Sequence, residues 1–247
     1  MQFKHFGDEN KPVVVLLHGG GLSWWMWEPH IAMLNEDYHF ILPIIDGHDI
    51  DDITFSNISD SSDHLIQHIE KTCGGQVFAL CGLSLGAQIA LDVLAKRPDM
   101  AKYALIESAL TEPMGWIAEA AIPLVGLSYG LVAKRWFSRA QAKAMLLPDP
   151  MFETYFESSK RISKESLLNI TRANAAFRVN PALGRCSTKT LILAGGKEVR
   201  AIKNSARALG KTLPNAAVRL LAGYRHGELS IGHPDEYVQV FSEWVLK

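Results

Sequence analysis

The sequence predicts an α/β protein with a mostly parallel central sheet, helices on both faces, a helical cap insertion and a short amino-terminal edge. Short apolar runs alternate with helix-like runs along most of the chain, which is the pattern of a parallel sheet. Residues 110–181 depart from it, because they contain helix-like runs only. At the amino terminus, only one strand-like run precedes the first buried strand.

Composition restricts the classes of function. The chain has 247 residues, of which 48% are hydrophobic, enough for one sizeable core. Lys and Arg number 25 against 26 Asp and Glu, so no basic excess favours nucleic acid or an acidic membrane surface. The three cysteines lack metal-ligand spacing and read as reduced thiols. We therefore expect a cytoplasmic protein, and the first residues also lack the apolar core of a signal peptide.

The first half of the chain predicts an edge strand, two buried strands and a crossover helix. Residues 3–6 alternate apolar with polar, while 13–17 and 38–45 are apolar runs suited to buried strands. Residues 60–72 have helical spacing. The first buried strand ends in His18-Gly19-Gly20-Gly21, where glycines free the backbone to direct N–H groups at a ligand. His48, in the turn after the next strand, reads as a structural residue.

One stretch carries the strongest chemical signal. Gly82-Leu83-Ser84-Leu85-Gly86 fits the pattern G-x-S-x-G, with a strand-like run before it and a helix-like run, 87–96, after it. A strand that turns at once into a helix holds its serine in a strained, exposed conformation. The pattern alone also fits an ordinary serine that caps a helix, so its placement between strand and helix carries the interpretation.

The segment 110–181 predicts a cap, and residues 1–109 and 182–247 predict the core. Glu119, Pro123 and glycines interrupt its most apolar part, 116–133, which therefore falls short of a membrane span. The predicted helices of the cap cover 116–125, 129–137, 139–147, 152–159 and 164–177.

Polar residues follow the later strands directly. Glu107 follows the strand 103–106, Glu198 follows 190–194, and His226 follows 218–221. Ligands of open parallel sheets bind beyond the carboxyl ends of the strands. We therefore expect Ser84, the glycine loop and these three residues to gather on one rim of the sheet.

These motifs, in this order, resemble the alpha/beta-hydrolase superfamily, in its branch of cap-bearing esterases, C–C-bond hydrolases and haloperoxidase-like enzymes. The resemblance covers the chain from about residue 11, outside the cap, and implies that the amino-terminal edge is shortened. It implies Ser84 as nucleophile, His226 as base and an acid, with an oxyanion hole from the backbone of Leu85 and of Gly20 or Gly21. It implies no cofactor, and no histidines and carboxylates are grouped as metal ligands.

Two assignments have rivals in the sequence. Glu198 is favoured as the acid because Gly195-Gly196-Lys197-Glu198 aligns with the family's Gly-x-x-Asp turn, although Glu is one methylene longer. Glu107 is the rival acid, since some relatives supply it from that strand. His233 competes with His226, but it directly precedes Pro234 and reads as a residue near the start of the last helix.

The resulting prediction is a cofactor-independent serine hydrolase that acts on a small to medium ester or thioester with an apolar acyl part. Cleavage of a carbon–carbon bond or elimination by the same triad is one alternative, and a binding protein with little turnover is another. Carboxylate-binding arginines of the cap would favour the first alternative. The sequence leaves the oligomeric state open. Candidate pocket residues are aromatic: Trp24, Trp25, Trp116, Trp136 and Phe137.

Overall fold

A computed structural model describes residues 1–49 and 53–246, and of residues 116–119 and 121 it describes the backbone alone. A seven-stranded sheet forms the centre, in the order β1-β3-β2-β4-β5-β6-β7. The strands are β1 Gln2–Phe6, β2 Val13–Leu17, β3 His39–Ile44, β4 Val77–Leu83, β5 Ala101–Glu107, β6 Lys189–Gly195 and β7 Ala216–Leu221.

The described helices alternate with these strands. They are α1 Glu28–Leu34, α2 Ile58–Cys73, α3 Leu85–Lys96, α4 Trp116–Ser128, α5 Arg135–Ala144, α6 Phe152–Ser159, α7 Lys164–Ala176, α8 Arg200–Thr212, α9 Glu228–Gly232 and α10 Pro234–Leu246. None of them, over the described residues, is long and apolar enough to cross a membrane.

The sheet is parallel except at its amino-terminal edge. β1 pairs antiparallel with β3, and every other neighbouring pair is parallel. One strand precedes β2 in the chain, so the predicted fold class and its shortened edge are confirmed. The carboxyl ends of β2, β4, β5, β6 and β7 consequently lie at one edge of the sheet.

Both faces of the sheet are buried because alternate side chains of each strand enter different cores. In β2, Val15 and Leu17 pack with α2, α3 and α8, whereas Val14 and Leu16 pack with α1 and α10. All four are at most 3% exposed. A strand covered on both faces needs an uninterrupted apolar sequence, and this explains the run of residues 13–17.

The segment between β5 and β6 is helical, as the sequence predicts, but a 3-10 turn and α5 replace the predicted helices 129–137 and 139–147. A short 3-10 turn, Tyr129–Leu131, follows α4, and α5 begins at Arg135. Lys134 between them is extended, with φ −96° and ψ 116°. Its amide donates to the carbonyl of Leu131, which closes the turn, and the Ser138 hydroxyl donates to the carbonyl of Val132.

Hydrogen bonds between side chains and backbone join this helical segment to the core. Nε2 of Gln88, on α3, donates to the carbonyls of Leu110 and Asn174 at 2.7 and 3.1 Å. On the other side, the hydroxyl of Ser166 accepts the amide of Phe55 at 3.1 Å. The segment is therefore fastened to the core at both ends. Its description as a separate cap over residues 110–181 stays a prediction.

Two glycines bring β4 and α3 into close contact where they meet. A methyl group on Gly82 would lie 2.5 Å from the backbone of Gly86, and one on Gly86 would lie 2.5 Å from the carbonyl oxygen of Leu17. Backbone atoms cannot move aside without moving a strand or the helix. Neither position therefore accepts a side chain.

We predict that Gly82→Ala lowers the free energy of unfolding by about 1–3 kcal/mol, the usual cost of overpacking, because its methyl group would meet backbone. Urea denaturation followed by circular dichroism measures this. Gly130→Ala is the matched control, since a methyl group there meets nothing within 4 Å and the backbone is not left-handed. Equal stability of the Gly82→Ala variant and the unaltered protein would contradict the prediction.

Candidate active site

Ser84 occupies the sharp turn between β4 and α3. Its φ of 52° and ψ of −109° lie outside the regions that side chains favour, so the turn is strained. Its amide donates to the carbonyl of Glu107 on the neighbouring strand at 2.9 Å, and its carbonyl accepts the amide of Gln88 at 3.0 Å. These bonds fix the backbone, and the hydroxyl projects beyond the end of the strand.

His226 lies beside this hydroxyl, in the turn after β7. Its Nε2 is 3.0 Å from Oγ of Ser84, and its Nδ1 is 2.8 Å from Oε2 of Glu198. A carboxylate only accepts, so Nδ1 carries the proton and Nε2 accepts from the serine hydroxyl. The side chain of His226 is half exposed, whereas that of Glu198 is 1% exposed.

Glu198 is held by donors on both of its oxygens. Oε1 accepts the amide of Gly195 at 2.7 Å and the hydroxyl of Ser108 at 2.8 Å, while Oε2 accepts from His226. Burial by itself would raise the pKa of this carboxyl. His226, the Gly195 amide and Ser108 outweigh burial and lower the pKa below its usual value. Glu198 is therefore an ionised carboxylate at neutral pH.

The turns that carry Glu198 and His226 are bonded to each other. The amide of Gly196 donates to the carbonyl of Leu221 at 2.7 Å, and that of Lys197 donates to the carbonyl of Tyr224 at 2.9 Å. Gly195 lies so close to the Tyr224 carbonyl that a methyl group there would collide with it. This close approach places a side chain of the length of glutamate within reach of the imidazole.

Glu107, the rival acid, has a different environment. It lies at the end of β5, is 2% exposed, and its Oε2 has no hydrogen-bond partner among the described residues. Burial raises the pKa of this carboxyl to about 7, although Ser230 and His226 lower it in part. Glu107 is thus about half protonated at pH 7, and it makes no hydrogen bond to His226.

His233, the rival base, lies away from Ser84. It caps the carboxyl end of α9, directly before Pro234. Its Nε2 is 3.8 Å from a carboxylate oxygen of Glu228, and its ring lies 5.2 Å from that of Tyr224. Of the two histidines, the structure brings only His226 to the serine.

The glycine loop brings the amide of Gly20 near Ser84. The N–H of Gly21 donates to Nε2 of His48 at 3.1 Å, so it is not available to bind an oxyanion. The amides of Gly20 and Leu85 have no hydrogen-bond acceptor among the described residues. A methyl group on Gly20 would lie 3.9 Å from Cβ of Leu85, which shows that the two backbones are close.

Two buried histidines hold this loop against the turn after β3. Nε2 of His18 accepts the amide of Ile45 at 3.1 Å, and Nε2 of His48 accepts that of Gly21. Burial lowers the pKa of His48 to about 4 and that of His18 well below its usual value. Both rings are therefore neutral and can accept these bonds. The structural interpretation of His48 agrees with these contacts.

Three cavities meet at Ser84. One of about 430 Å³ extends past His226, Lys197 and Arg225 to the start of α8. A second, of about 340 Å³, extends from Gly20 and Leu85 under the helical segment, and a third, of about 120 Å³, lies between Gly19 and Ile231. Apolar or aromatic side chains of the helical segment line the second cavity: Met114, Met145, Tyr155, Leu167 and Ile170.

Four of the five aromatic residues that the sequence predicts as pocket walls lie outside these cavities. Trp25 is 2% exposed and packs in the core, and Trp24 stacks on Phe6 at 5.7 Å. Trp136 is 68% exposed and meets Phe137 edge to face. None of these four lines a described cavity at Ser84. Trp116 begins α4, and its side chain lies outside the described part of the chain.

Sequence reasoning named Met114 and Tyr155 as possible lining residues, but it missed Ser108 and three other residues of the second cavity. Ser108 directly follows Glu107, so its place at the end of a buried strand was the available signal. Met145, Leu167 and Ile170 carry no motif and are recognisable only from the packing of their helices. Over the described residues, no group of three or more His, Cys, Asp or Glu side chains is arranged to hold a metal ion.

Comparison with known proteins decides the family. The model of the alpha/beta hydrolase family matches residues 14–240. The chain belongs to this family. It is 25% identical to 3-oxoadipate enol-lactonase 1 of Acinetobacter baylyi, over 97% of this chain and 90% of that protein.

Solved structures share the fold. An esterase from Exiguobacterium antarcticum matches with a TM-score of 0.82 at 17% identity, over 99% of this chain and 95% of that chain. MenH from S. aureus matches with a TM-score of 0.78 at 18% identity, over 100% and 98%. The family and its relatives support a hydrolase. At these identities the solved structures establish the fold alone.

We predict that Ser108→Ala lowers the catalytic constant kcat about tenfold with little change in KM, because one donor to Glu198 is lost and the buried amide of Gly227 loses its acceptor. Steady-state kinetics on a chromogenic ester measures this. Ser159→Ala is the matched control, since that buried hydroxyl donates to the carbonyl of Phe156, distant from the triad. The same loss in both variants would assign Ser108 to folding instead.

Proposed function

We propose that the protein is a cofactor-independent serine hydrolase of carboxylic esters or thioesters, with Ser84, His226 and Glu198 as its triad. The observation that carries the proposal is the unbroken hydrogen-bond chain from Oγ of Ser84 through His226 to the buried carboxylate of Glu198. Its two bonds measure 3.0 and 2.8 Å and lie where three cavities meet. This is the geometry of an activated nucleophile.

The proposed reaction begins with attack of Oγ of Ser84 on the ester carbonyl while the hydroxyl proton passes to Nε2 of His226. Glu198 stabilises the imidazolium that forms and keeps the ring in the required orientation. The amides of Leu85 and Gly20 bind the oxyanion, and each such donor is worth about 3 kcal/mol of barrier. His226 then gives its proton to the departing alcohol or thiol. Water, activated by the same imidazole, cleaves the acyl-enzyme and frees Ser84.

The cavities support a substrate of small to medium size with an apolar acyl part. The cavity of about 340 Å³ contains Gly20 and Leu85 and is lined mainly by apolar side chains of the helical segment, together with Gln141, Thr171 and Asn174. A carbonyl oxygen bound at these amides directs the attached acyl group into it. A lactone is an internal ester and reacts in the same way, and the relative from Acinetobacter baylyi is named for an enol-lactone.

The contacts of the helical segment do not favour the alternative of a carbon–carbon bond hydrolase. Arginines of that segment were its expected carboxylate ligands. The guanidinium groups of Arg135, Arg139 and Arg161 bond to Glu153, Asp149 and Asp49, and that of Arg172 bonds to Asn169. Arg178 is exposed and lines none of the three cavities.

Ser84→Ala tests the proposal. It should abolish hydrolysis of p-nitrophenyl butyrate and leave the unfolding transition unchanged, because the hydroxyl projects from the turn and packs against little. A fluorophosphonate probe should label Ser84 in the unaltered protein, since only an activated serine reacts at a useful rate. Turnover by the purified Ser84→Ala variant at the original rate would refute the proposal.

Paired variants of the two carboxyls test the acid. Glu198→Gln should lower kcat by several orders of magnitude, since removing the charge of the acid in a serine protease triad costs about 10⁴. Glu107→Gln should cost far less, because its carboxyl bonds no imidazole and is already about half protonated at pH 7. Both substitutions keep the shape of the side chain. If Glu107→Gln instead lost most of its kcat and Glu198→Gln kept nearly all of it, the acid would be Glu107 on β5.

A further inference from the structure

The start of α8 combines positive charges with an open cavity. Lys197 and Arg225 line the cavity of about 430 Å³ together with Ser84 and His226. Neither cationic side chain has a hydrogen bond or ion pair to a described residue. In this lining the one carboxylate is Glu198, and its oxygens are occupied by the Gly195 amide, Ser108 and His226. The cavity wall therefore carries net positive charge.

The helix that borders this cavity breaks the usual charge rule. The positive end of a helix dipole favours Asp or Glu in the first turn and disfavours cations there. α8 has no acidic residue there, and it begins with Arg200 and includes Lys203, whose ammonium donates to the carbonyl of Gly196 at 3.1 Å; neither of these cations lines the cavity. Val199, at its amino-terminal cap, supplies no side-chain acceptor. Val199, Ala201 and Ile202 all line the cavity, so the positive end of the helix faces it.

The carboxylates of Glu228 and Glu112 bond to groups other than the side chains of Lys197 and Arg225. Glu228 accepts the backbone amide of Arg225 and lies near His233, and Glu112 accepts from Asn204, one turn further along α8. Two cations without a partner among the described residues, beside a helix start without an acidic residue, are typical of a ligand site. The missing partner is an anion.

The positions of Lys197 and Arg225 give the cluster a fixed relation to the triad. Lys197 directly precedes Glu198, and Arg225 directly precedes His226. The bond from the Lys197 amide to the Tyr224 carbonyl, at 2.9 Å, joins the two turns. Both cations therefore start from backbone that the triad itself requires to be rigid.

The chemistry at Ser84 places this cavity on the side of the departing group. The oxyanion amides belong to Gly20 and Leu85, which line the cavity under the helical segment and not the one beside α8. His226, which must protonate the departing oxygen, lines the cavity beside α8 and also the smaller third cavity of about 120 Å³, which Gly20 lines as well. Of these two cavities, the one beside α8 adjoins His226 without an oxyanion amide in its wall. An ester bound at Ser84 thus directs its acyl part under the helical segment and its alcohol part toward Lys197 and Arg225.

We propose that the substrates are esters whose alcohol part carries a carboxylate, and that Lys197 and Arg225 bind this group as specificity-determining residues. The inference rests on the proposed hydrolase function and deepens it. Arg225 can contact a carboxylate through two parallel N–H groups, and Lys197 contributes a single charged ammonium.

The test compares 3-carboxyphenyl butyrate with its neutral analogue, 3-carbamoylphenyl butyrate, in the unaltered protein and in Lys197→Gln and Arg225→Gln. The ratio of the two kcat/KM values cancels any general loss of activity. We expect the protein to favour the carboxylate, and each substitution to lower the ratio roughly three- to tenfold, the range of partly exposed charge-assisted contacts. Added NaCl should lower the ratio as well.

The controls separate charge from structure. Lys211→Gln removes a cation from the last turn of α8, away from the cavity, and should leave the ratio unchanged. Lys197→Arg and Arg225→Lys keep the charge and should retain most of the preference. A third ester, p-nitrophenyl hydrogen glutarate, carries its carboxylate on the acyl side and should show no comparable dependence on either cation.

A ratio that is the same in the unaltered protein and in both glutamine variants would overturn the carboxylate site, as would an equal fall in Lys211→Gln. Dependence on the two cations for the glutarate ester alone would overturn its place on the alcohol side. Fluorophosphonate labelling of Ser84 and turnover of the neutral ester are measured in parallel. Loss of both in the unaltered protein would instead refute the hydrolase function.

Discussion

The close approach of two backbones at the end of β4 is the constraint on which the site depends. A methyl group on Gly82 or Gly86 would lie 2.5 Å from neighbouring backbone, so α3 starts as near to β2 and β4 as a peptide chain allows. This packing leaves Ser84 no room for a relaxed conformation, and its φ is 52°. The strain is offset by the buried apolar residues of α3, which pack on one face of the sheet.

The parallel sheet sets the positions of the remaining groups. Glu198 and His226 follow β6 and β7, which are the third and fourth strands from β2 on the side of the sheet that contains β4. β5 lies between β4 and β6, and Ser108 at its end therefore stands between Ser84 and the other two residues. Each group stands on a short turn at the end of a strand, and bonds between the turns limit their movement. Groups arranged in this way need little reorganisation during a reaction, which is the main source of electrostatic catalysis.

The two buried glutamates have the same side chain, but their environments shift the pKa of the carboxyl in opposite directions. Glu198 receives donors from Gly195, Ser108 and His226, and these outweigh its burial. Glu107 lies on the adjacent strand with an unpartnered oxygen, and burial raises its pKa to about 7. Near pH 7 Glu107 is therefore ionised only part of the time, which weakens its repulsion of Glu198. Two ionised groups at this depth would oppose each other and destabilise the fold.

Much of the fold was predictable because buried parallel strands impose uninterrupted apolar runs, as in residues 13–17 and 77–83. Weakly patterned parts were not. The turn around Lys134 depends on backbone bonds that no side-chain period encodes, and it converts two predicted helices into a 3-10 turn and α5. The burial of Trp25 follows from the packing of three crowded tryptophans against the core, which their sequence spacing does not order.

The site was predictable wherever a residue directly follows a strand, since the sheet itself brings such residues together. It was not predictable where the deciding contact comes from elsewhere in the chain. From the sequence, the oxyanion amide of the glycine loop could belong to Gly20 or to Gly21. The bond from Gly21 to His48, 27 positions away, occupies one of these amides and leaves that of Gly20. Lys197 and Arg225 read as ordinary surface cations in the sequence. Their importance depends on the cavity that they share with Ser84 and His226, because only the folded chain brings two cations from separate turns beside the start of α8.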